Sequence, residues 1–130
     1  MVLMNAYQTI DVAPGGVVEA EIVVQRSRFL AQACRAQDEA AAREFIAAVA
    51  ATHHDARHHC TAFVLGPAGE VRRSNDDGEP AGTAGRPILD SISGRDLSDV
   101  VVVVTRWFGG TLLGTGGGLL LASIFRTISP

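Results

Sequence analysis

The first part of the chain predicts two strands and a helix from its pattern of apolar and polar positions. Val17 to Arg26 alternates apolar and polar residues in part, which predicts a strand. Phe29 to Arg35 predicts a second strand after a break at Ser27-Arg28. Asp38 is a typical helix N-cap. Apolar residues recur at helical spacing after it, so Glu39 to Ala51 is predicted to be an amphipathic helix that packs one face.

The second part predicts shorter elements separated by turn residues. His59 to Leu65 and Glu70 to Ser74 flank the turn Gly66 to Gly69, which is typical of a β-hairpin. Arg86 to Ser93 is predicted to be helical because a proline lies in its first turn. Val100 to Val104 is an uninterrupted run of valine, which predicts a central strand that is covered on both faces or by helices on one.

These elements favour an α+β fold. A last helix is predicted from about Gly118 to Thr127, with Thr115 as its cap. Strands outnumber helices and do not alternate strictly with them, which argues against a doubly wound fold. The expected architecture is a two-layer sandwich, in which helices cover one face of a mainly antiparallel sheet. Residues 1–130 contain no repeat or linker and are predicted to form a single domain.

Composition narrows the functional classes. The chain is 47% hydrophobic, but no apolar run approaches the ~20 residues that cross a bilayer. We therefore expect no membrane association. Cys34 and Cys60 without an export signal indicate reduced thiols and a cytoplasmic protein. The net charge of −3 opposes binding to polyanions, so only a local patch of arginines would favour nucleic acid.

Two glycine-rich segments are the candidate binding loops. The acidic loop is Ser74 to Pro87, Ser-Asn-Asp-Asp-Gly-Glu-Pro-Ala-Gly-Thr-Ala-Gly-Arg-Pro. The glycine loop is Thr105 to Gly118, Thr-Arg-Trp-Phe-Gly-Gly-Thr-Leu-Leu-Gly-Thr-Gly-Gly-Gly. Glycine and proline break helices and central strands, so both segments are predicted to be loops, where binding residues tend to lie.

The acidic loop offers carboxylates and backbone N–H groups. Its candidate binding residues are Asp76, Asp77, Glu79, Gly82, Thr83, Gly85 and Arg86. The carboxylates fit turn formation, ligand binding or acid/base chemistry, although their spacing is not that of a calcium loop. The Gly-Thr-Ala-Gly stretch before Arg86 fits either a tight turn or an anion site at backbone N–H groups. The pattern of a P-loop nucleotide site does not occur.

The glycine loop offers an arginine beside aromatic residues. Its candidate binding residues are Arg106, Trp107, Gly109 and Gly110. An arginine next to aromatic rings can hold a phosphate while a base stacks, and Trp107 fits core packing equally well. We predict that the two loops lie side by side and form a groove, with the turn at Asp77–Glu79 near Arg106 or Gly109.

The segment His53 to Cys60 is rich in histidine, but it lacks the second cluster that would complete a tetrahedral zinc site. We predict no metal and no cofactor. His58 is expected to enter a strand and to bond the acidic loop, because a buried imidazole needs a partner. Cys60 beside His58 or His59 has the residue types of a thiol enzyme, without a visible third member.

Both loops resemble the YigZ/Impact family. Its N-terminal domain carries the blocks S-x-D-D-G-E-P-x-G-T-A-G-x-P-I-L and V-T-R-Y-F-G-G-x-x-L-G-x-G-G. These match Ser74–Leu89 and Val104–Gly117, with Trp107 in place of tyrosine. Two shorter features, S-R-F and A-x-H-x-C, match Ser27–Phe29 and Ala56–Cys60. The resemblance covers roughly residues 20 to 118.

The resemblance implies a fold like domain IV of elongation factor G and a related ribosomal-protein domain. It also implies a role in translation regulation. Larger family members add a ferredoxin-like domain, which is expected to be absent here. After the glycine loop, residues 118–126 depart from the family's L-V-R-A-Y-S continuation.

The leading hypothesis is a non-enzymatic binding domain, linked to translation regulation or nucleic-acid binding, that uses the groove between the two loops. Its expected partners are RNA or ribosome-associated factors, bound weakly, or another protein. One alternative is a small hydrolase or other enzyme that uses the acidic loop and His58. Another is a truncated remnant. The sequence does not indicate an oligomeric state.

Overall fold

The computed structural model describes Thr9, residues 16–24 and residues 26–107. The elements in chain order are β1 (Val17–Val24), β2 (Ser27–Arg35), α1 (Glu39–Thr52), β3 (His58–Leu65), β4 (Val71–Asn75), α2 (Gly85–Gly94) and β5 (Val100–Trp107). Every element predicted within these ranges is present, with boundaries shifted by a few residues at most. The predicted last helix lies outside the described residues.

The strands form one antiparallel sheet in the order β1-β2-β5-β3-β4. The valine-rich β5 lies at its centre, and Val100 to Val104 are fully buried. A strand that is apolar on both faces is stable only where both faces are covered, which explains its central place. The α+β class and the antiparallel sheet are confirmed.

The two described helices cover opposite faces of this sheet. Successive residues of a strand point to opposite faces. Ile88 and Ile92 of α2 pack in one core cluster with alternate residues of β2, β3 and β5, among them Phe29, Cys60 and Val102. Ala42 of α1 belongs to a second cluster, with Cys34, Ala36, Phe63, Leu65 and Val101. The α1 face and the α2 face are named accordingly. This differs from the expected single helical layer, because β3 and β5 present apolar side chains on both sides.

The two helices are capped in different ways. Asp38 is the N-cap of α1, and its side chain accepts a 2.7 Å hydrogen bond from the Ala41 N–H, as predicted. The N-cap position of α2 is Ala84, which has no side-chain oxygen to offer. The N–H groups at the start of α2 therefore need an acceptor from elsewhere.

The two cysteines and the two described helices can be compared with what the composition predicts about disulfides and membrane spans. Cys34 and Cys60 are both free and buried, and they belong to clusters on opposite faces of the sheet. They therefore cannot form a disulfide with each other in this fold. Among the described residues, neither helix has the length and apolar character needed to cross a membrane.

Candidate binding site at the acidic loop

Asp76 fixes the acidic loop to the start of α2. Its Oδ1 accepts hydrogen bonds from the N–H groups of Ala84 (3.1 Å) and Gly85 (2.8 Å). Its Oδ2 accepts a third bond, of 2.9 Å, from the Gly82 N–H. These backbone donors stabilise the charged carboxylate and hold the pKa of Asp76 below its usual value. Asp76 thus caps α2 in place of Ala84.

The hydrogen bonds of Asp76 occupy three N–H groups of the Gly-Thr-Ala-Gly stretch, where the sequence predicts either a tight turn or an anion site. The N–H groups of Gly82, Ala84 and Gly85 already bond a carboxylate of the same loop. A phosphate would have to displace Asp76 to reach them. The stretch therefore serves turn formation in this structure. The reason is that Asp76, six to nine residues earlier in the chain, is brought within hydrogen-bond distance by the folded loop.

Asp77 joins the acidic loop to the start of β3. Its backbone has a left-handed conformation (φ 45°), and its N–H donates to Asn75 Oδ1 at 2.7 Å. Its Oδ2 accepts a 2.7 Å hydrogen bond from the His59 N–H. Its carbonyl oxygen lies 2.5 Å from His58 Nδ1. His58 therefore enters β3 bonded to the acidic loop, as the sequence predicted.

Gly78 is required at this turn because His58 lies against it. A Cβ at Gly78 would come within 2.9 Å of His58 Cε1, and its φ of 89° disfavours any side chain. Gly85 is constrained more strongly. A Cβ there would meet the backbone of Asn75, with the nitrogen at 2.7 Å. The turn at Gly78 therefore packs closely against β3, and the start of α2 packs closely against β4.

A buried ion pair joins the acidic loop to β5. Arg106 Nε lies 2.6 Å from Glu79 Oε1, and the two side chains are only 7% and 1% exposed. The two atoms form an ion pair and no hydrogen bond with each other. The turn at Asp77–Glu79 thus lies near Arg106, as expected. Gly109 and Gly110 lie outside the described residues.

Arg106 and Trp107 point to opposite faces of the sheet, because they are successive residues of β5. On the α1 face, the Trp107 ring packs between two side chains. Arg28 Cζ lies 4.1 Å from its centroid, and the His53 ring meets it edge-on at 5.2 Å. The structure therefore does not bring Arg106 and Trp107 together on one surface, and a binding role for either residue stays a prediction. The structure favours the packing role of Trp107.

The outer surface of the acidic loop carries few side chains. Pro80, Ala81 and Gly82 are exposed, and the Thr83 hydroxyl donates to the Pro80 carbonyl. Arg86 is exposed at the start of α2, where its Nε pairs with Asp90 Oδ1 at 2.9 Å. We name the exposed set Pro80, Ala81, Gly82 and Arg86 the loop ridge.

The geometry does not support nucleophilic catalysis by Cys60. Its thiol is buried and donates to the Asp76 carbonyl at 3.2 Å. Burial, together with the nearby carboxylates of Glu79, Asp77 and Asp76, raises the pKa of Cys60 to about 12. Its thiolate form is therefore negligible at neutral pH. Burial also lowers the pKa of His59, whose Nδ1 lies 3.2 Å from Thr105 Oγ1. In the described ranges, no three potential metal-ligating side chains come together.

Sequence reasoning missed three residues that build this site. Asn75 forms the turn before Asp77, and asparagine followed by Asp-Asp-Gly is a recognisable turn signal. The His59 N–H bonds Asp77, and the Thr105 hydroxyl lies beside the His59 ring. These two contacts have no sequence signal, because the first depends on the path of the loop after β4 and the second on the register between β3 and β5.

Comparison with known proteins places this site in a family. The model of the Impact N-terminal domain matches residues 25–126. The chain belongs to the Impact family. It is 43% identical over 115 residues to the IMPACT family member YvyE of Bacillus subtilis (strain 168), which covers 88% of this chain and 51% of that protein. It is 44% identical over 110 residues to YigZ of Escherichia coli (strain K12), which covers 83% and 52%. The chain thus spans about half the length of these curated relatives.

Solved structures agree with the Impact assignment. The fold superposes with a TM-score of 0.81 on the crystal structure of a hypothetical protein that is 34% identical, covering 95% of this chain and 63% of that one. It also superposes on the two-domain translational regulator Yih1, with a TM-score of 0.62 and 26% identity, covering 91% of this chain and 49% of Yih1.

Proposed function

We propose that this chain is a binding domain of translation regulation that has no catalytic role of its own and engages its partner through the loop ridge. Two facts support the proposal. The family includes relatives of similar fold, one of which is the translational regulator Yih1. The acidic loop, moreover, uses its charged groups to hold its own shape.

The observation that carries the proposal is the internal bonding of the three loop carboxylates. Asp76 accepts from three N–H groups, Asp77 accepts from the His59 N–H, and Glu79 pairs with Arg106. A carboxylate used in this way is a poor general acid or base, because proton transfer would break the contacts that fix the loop. A fixed loop loses little conformational entropy on binding, which favours recognition.

The charges favour a protein partner over RNA. Arg106 is buried against Glu79, and Arg86 forms an exposed ion pair with Asp90. The chain has a net charge of −3, so a polyanion meets overall repulsion. We propose a ribosome-associated protein factor as the partner, in the cytoplasm. A groove completed by Gly109 and Gly110 is part of the same proposal.

The test is a cell-free translation reporter to which the purified domain is added. Ala81→Trp places a bulky side chain on the loop ridge, and Ala47→Trp places the same side chain on the exposed surface of α1. We expect the wild type and Ala47→Trp to change the reporter yield equally, and Ala81→Trp to lose the effect. Equal effects of all three proteins, or no effect of the wild type, would contradict the proposal.

Two further assays address the alternatives. Fluorescence anisotropy with labelled single-stranded and duplex RNA, over a range of salt, is expected to show at most weak binding. Tight, salt-sensitive binding that Arg86→Ala abolishes would favour the nucleic-acid hypothesis. Hydrolysis of a phosphoester or peptide panel that disappears in Asp77→Asn would favour the enzyme.

A further inference from the structure

A concave region lies on the α1 face of the sheet, which is opposite to the face that carries the Glu79–Arg106 pair. Helix α1 packs mainly over β5 and β3, which leaves the outer part of the β3–β4 hairpin uncovered on this face. The space between α1 and the uncovered part of the hairpin is a cavity of about 280 Å³ that is open to solvent. We name it the hairpin cavity. Its lining includes Arg43, His59, Thr61, Phe63, Arg73 and Asp77.

Two arginines and a phenylalanine line the hairpin cavity. Phe63, which is almost fully buried, forms the floor. Arg73 of β4 is the cross-strand partner of Phe63, so both side chains point to the same face of the sheet. Arg43 of α1 approaches from the other side, with its Cζ 5.6 Å from the Phe63 centroid. Arginines from two different elements thus line the cavity together with one aromatic ring.

The charges that line the hairpin cavity do not balance. Arg43 donates through Nε to Glu39 at 2.9 Å in an exposed pair. Arg73 donates through Nη1 to the Arg72 carbonyl, and within the described residues no carboxylate lies at ion-pair distance from it. Asp77 is the one carboxylate in the lining, and its Oδ2 already accepts from the His59 N–H. The lining therefore carries two arginines and one carboxylate, and Glu39, which pairs with Arg43, lies outside it.

Neutral polar groups complete the lining. Thr61 and Asn75 are cross-strand partners on this face, and Ser74 lies at the rim. His59 is held mostly uncharged at neutral pH, because burial lowers its pKa. These groups can donate or accept hydrogen bonds without adding charge.

We propose that the hairpin cavity binds a small molecule bearing an oxyanion, a phosphate or a carboxylate, held between Arg43 and Arg73 with its carbon skeleton against Phe63. Guanidinium groups match the geometry of both anions through paired N–H donors. The volume is close to the lower end of the range for ligand pockets, about 300–1,000 Å³, which suits a small molecule and not a polymer. The inference stands independently of the proposed function.

The hairpin cavity also shares a residue with the acidic loop. Asp77 lines the cavity with its side chain and forms the turn that places Glu79 against Arg106. A ligand in the cavity would therefore contact the segment that carries the loop ridge.

The experiment is isothermal titration of the folded chain with three probes: inorganic phosphate, glycerol 3-phosphate and citrate. The first two test phosphate recognition, and citrate tests carboxylate recognition. We expect saturable binding of at least one probe, weakened about tenfold or more by Arg73→Ala and by Arg43→Ala, since each removes charged hydrogen bonds. Circular dichroism of each variant checks that the fold is intact.

Arg72→Ala is the matched control. It removes the same charge one residue away, but Arg72 points to the opposite face, where it bonds Ser93 Oγ at 3.2 Å. We expect its probe affinity to stay within about twofold of wild type, because bulk charge alone has a small effect on a site of this size. Equal losses in Arg72→Ala and Arg73→Ala, or no binding of any probe, would overturn the proposal.

Asp77→Asn tests the sign of the charge argument. Asparagine keeps an oxygen for the His59 N–H and tolerates the left-handed backbone at this position. Removal of the negative charge is expected to strengthen probe binding severalfold. Weaker binding in a folded Asp77→Asn protein would count against an oxyanion site.

Discussion

The buried ion pair between Glu79 and Arg106 allows a quantitative test, because the protein contains an exposed counterpart. Arg28 Nε also lies 2.6 Å from a glutamate oxygen, that of Glu21, but these side chains are 47% and 42% exposed. The residue types and distance are therefore the same in the two pairs, and burial differs. Glu79→Gln and Glu21→Gln remove one negative charge each with little change in volume.

We expect the two substitutions to differ strongly in their effect on stability. Glu79→Gln neutralises the carboxylate that pairs with the buried Arg106 guanidinium, which costs about 3–5 kcal/mol of unfolding free energy. Glu21→Gln disrupts a pair that water and salt already screen, with a cost of about 0–1 kcal/mol. A domain of this size is stable by about 5–15 kcal/mol, so the first loss is a large fraction of the total.

The assay is urea denaturation followed by circular dichroism, with Trp107 fluorescence as a second probe. The double variant Glu79→Gln with Arg106→Met removes both charges. It should be more stable than Glu79→Gln alone, because both members of the buried pair are then neutral. The reasoning is refuted if Glu79→Gln costs less than about 1 kcal/mol, or if Glu21→Gln costs as much.

Three further predictions concern the start of α2, the thiol of Cys60 in β3 and the carboxylate of Asp76. Gly85→Ala should lower stability by about 1–3 kcal/mol, because the added Cβ meets the backbone of β4. Gly94→Ala is the control, since the space around Gly94 is open, and it should be neutral or slightly stabilising. Thermal melts of the two variants test this difference. Cys60 should resist iodoacetamide at pH 8 until the chain is unfolded, since its pKa is raised to about 12; rapid labelling of the native protein, read by mass spectrometry, would contradict this. Asp76→Asn should lower stability at pH 7 by about 1 kcal/mol, as for loss of a helix cap. The pKa of Asp76 is lower in the folded state, so its contribution to stability is fully present above the unfolded-state pKa and is lost as the pH falls through the folded-state pKa. Denaturation curves of the wild type and of Asp76→Asn, measured from pH 7 to pH 2, should therefore converge at the acid end.

The order of strands and helices could be read from the sequence because it depends on neighbouring residues. The helical spacing after Asp38 gave α1 together with its cap, and the run of valine gave the central strand. Both signals are local, since a cap bonds an N–H group three residues away and a strand's burial follows from its own composition. The Impact blocks added the expected fold class.

One error at the site came from an element boundary. Sequence analysis ended the last strand at Val104 and treated Arg106 and Trp107 as one loop. The strand continues to Trp107, and strand alternation then sends the two side chains to opposite faces. The three additional strand residues place Arg106 and Trp107 on two different surfaces.

The sequence by itself determined the elements, the central position of the valine strand and the segments rich in turn residues. Only the tertiary structure decided which faces the helices cover, that Asp76 caps α2, and that Glu79 is buried against Arg106. The reason is physical: secondary structure follows from short-range backbone and packing preferences, whereas the bonding of a carboxylate depends on which donors the folded chain brings within about 3 Å of it.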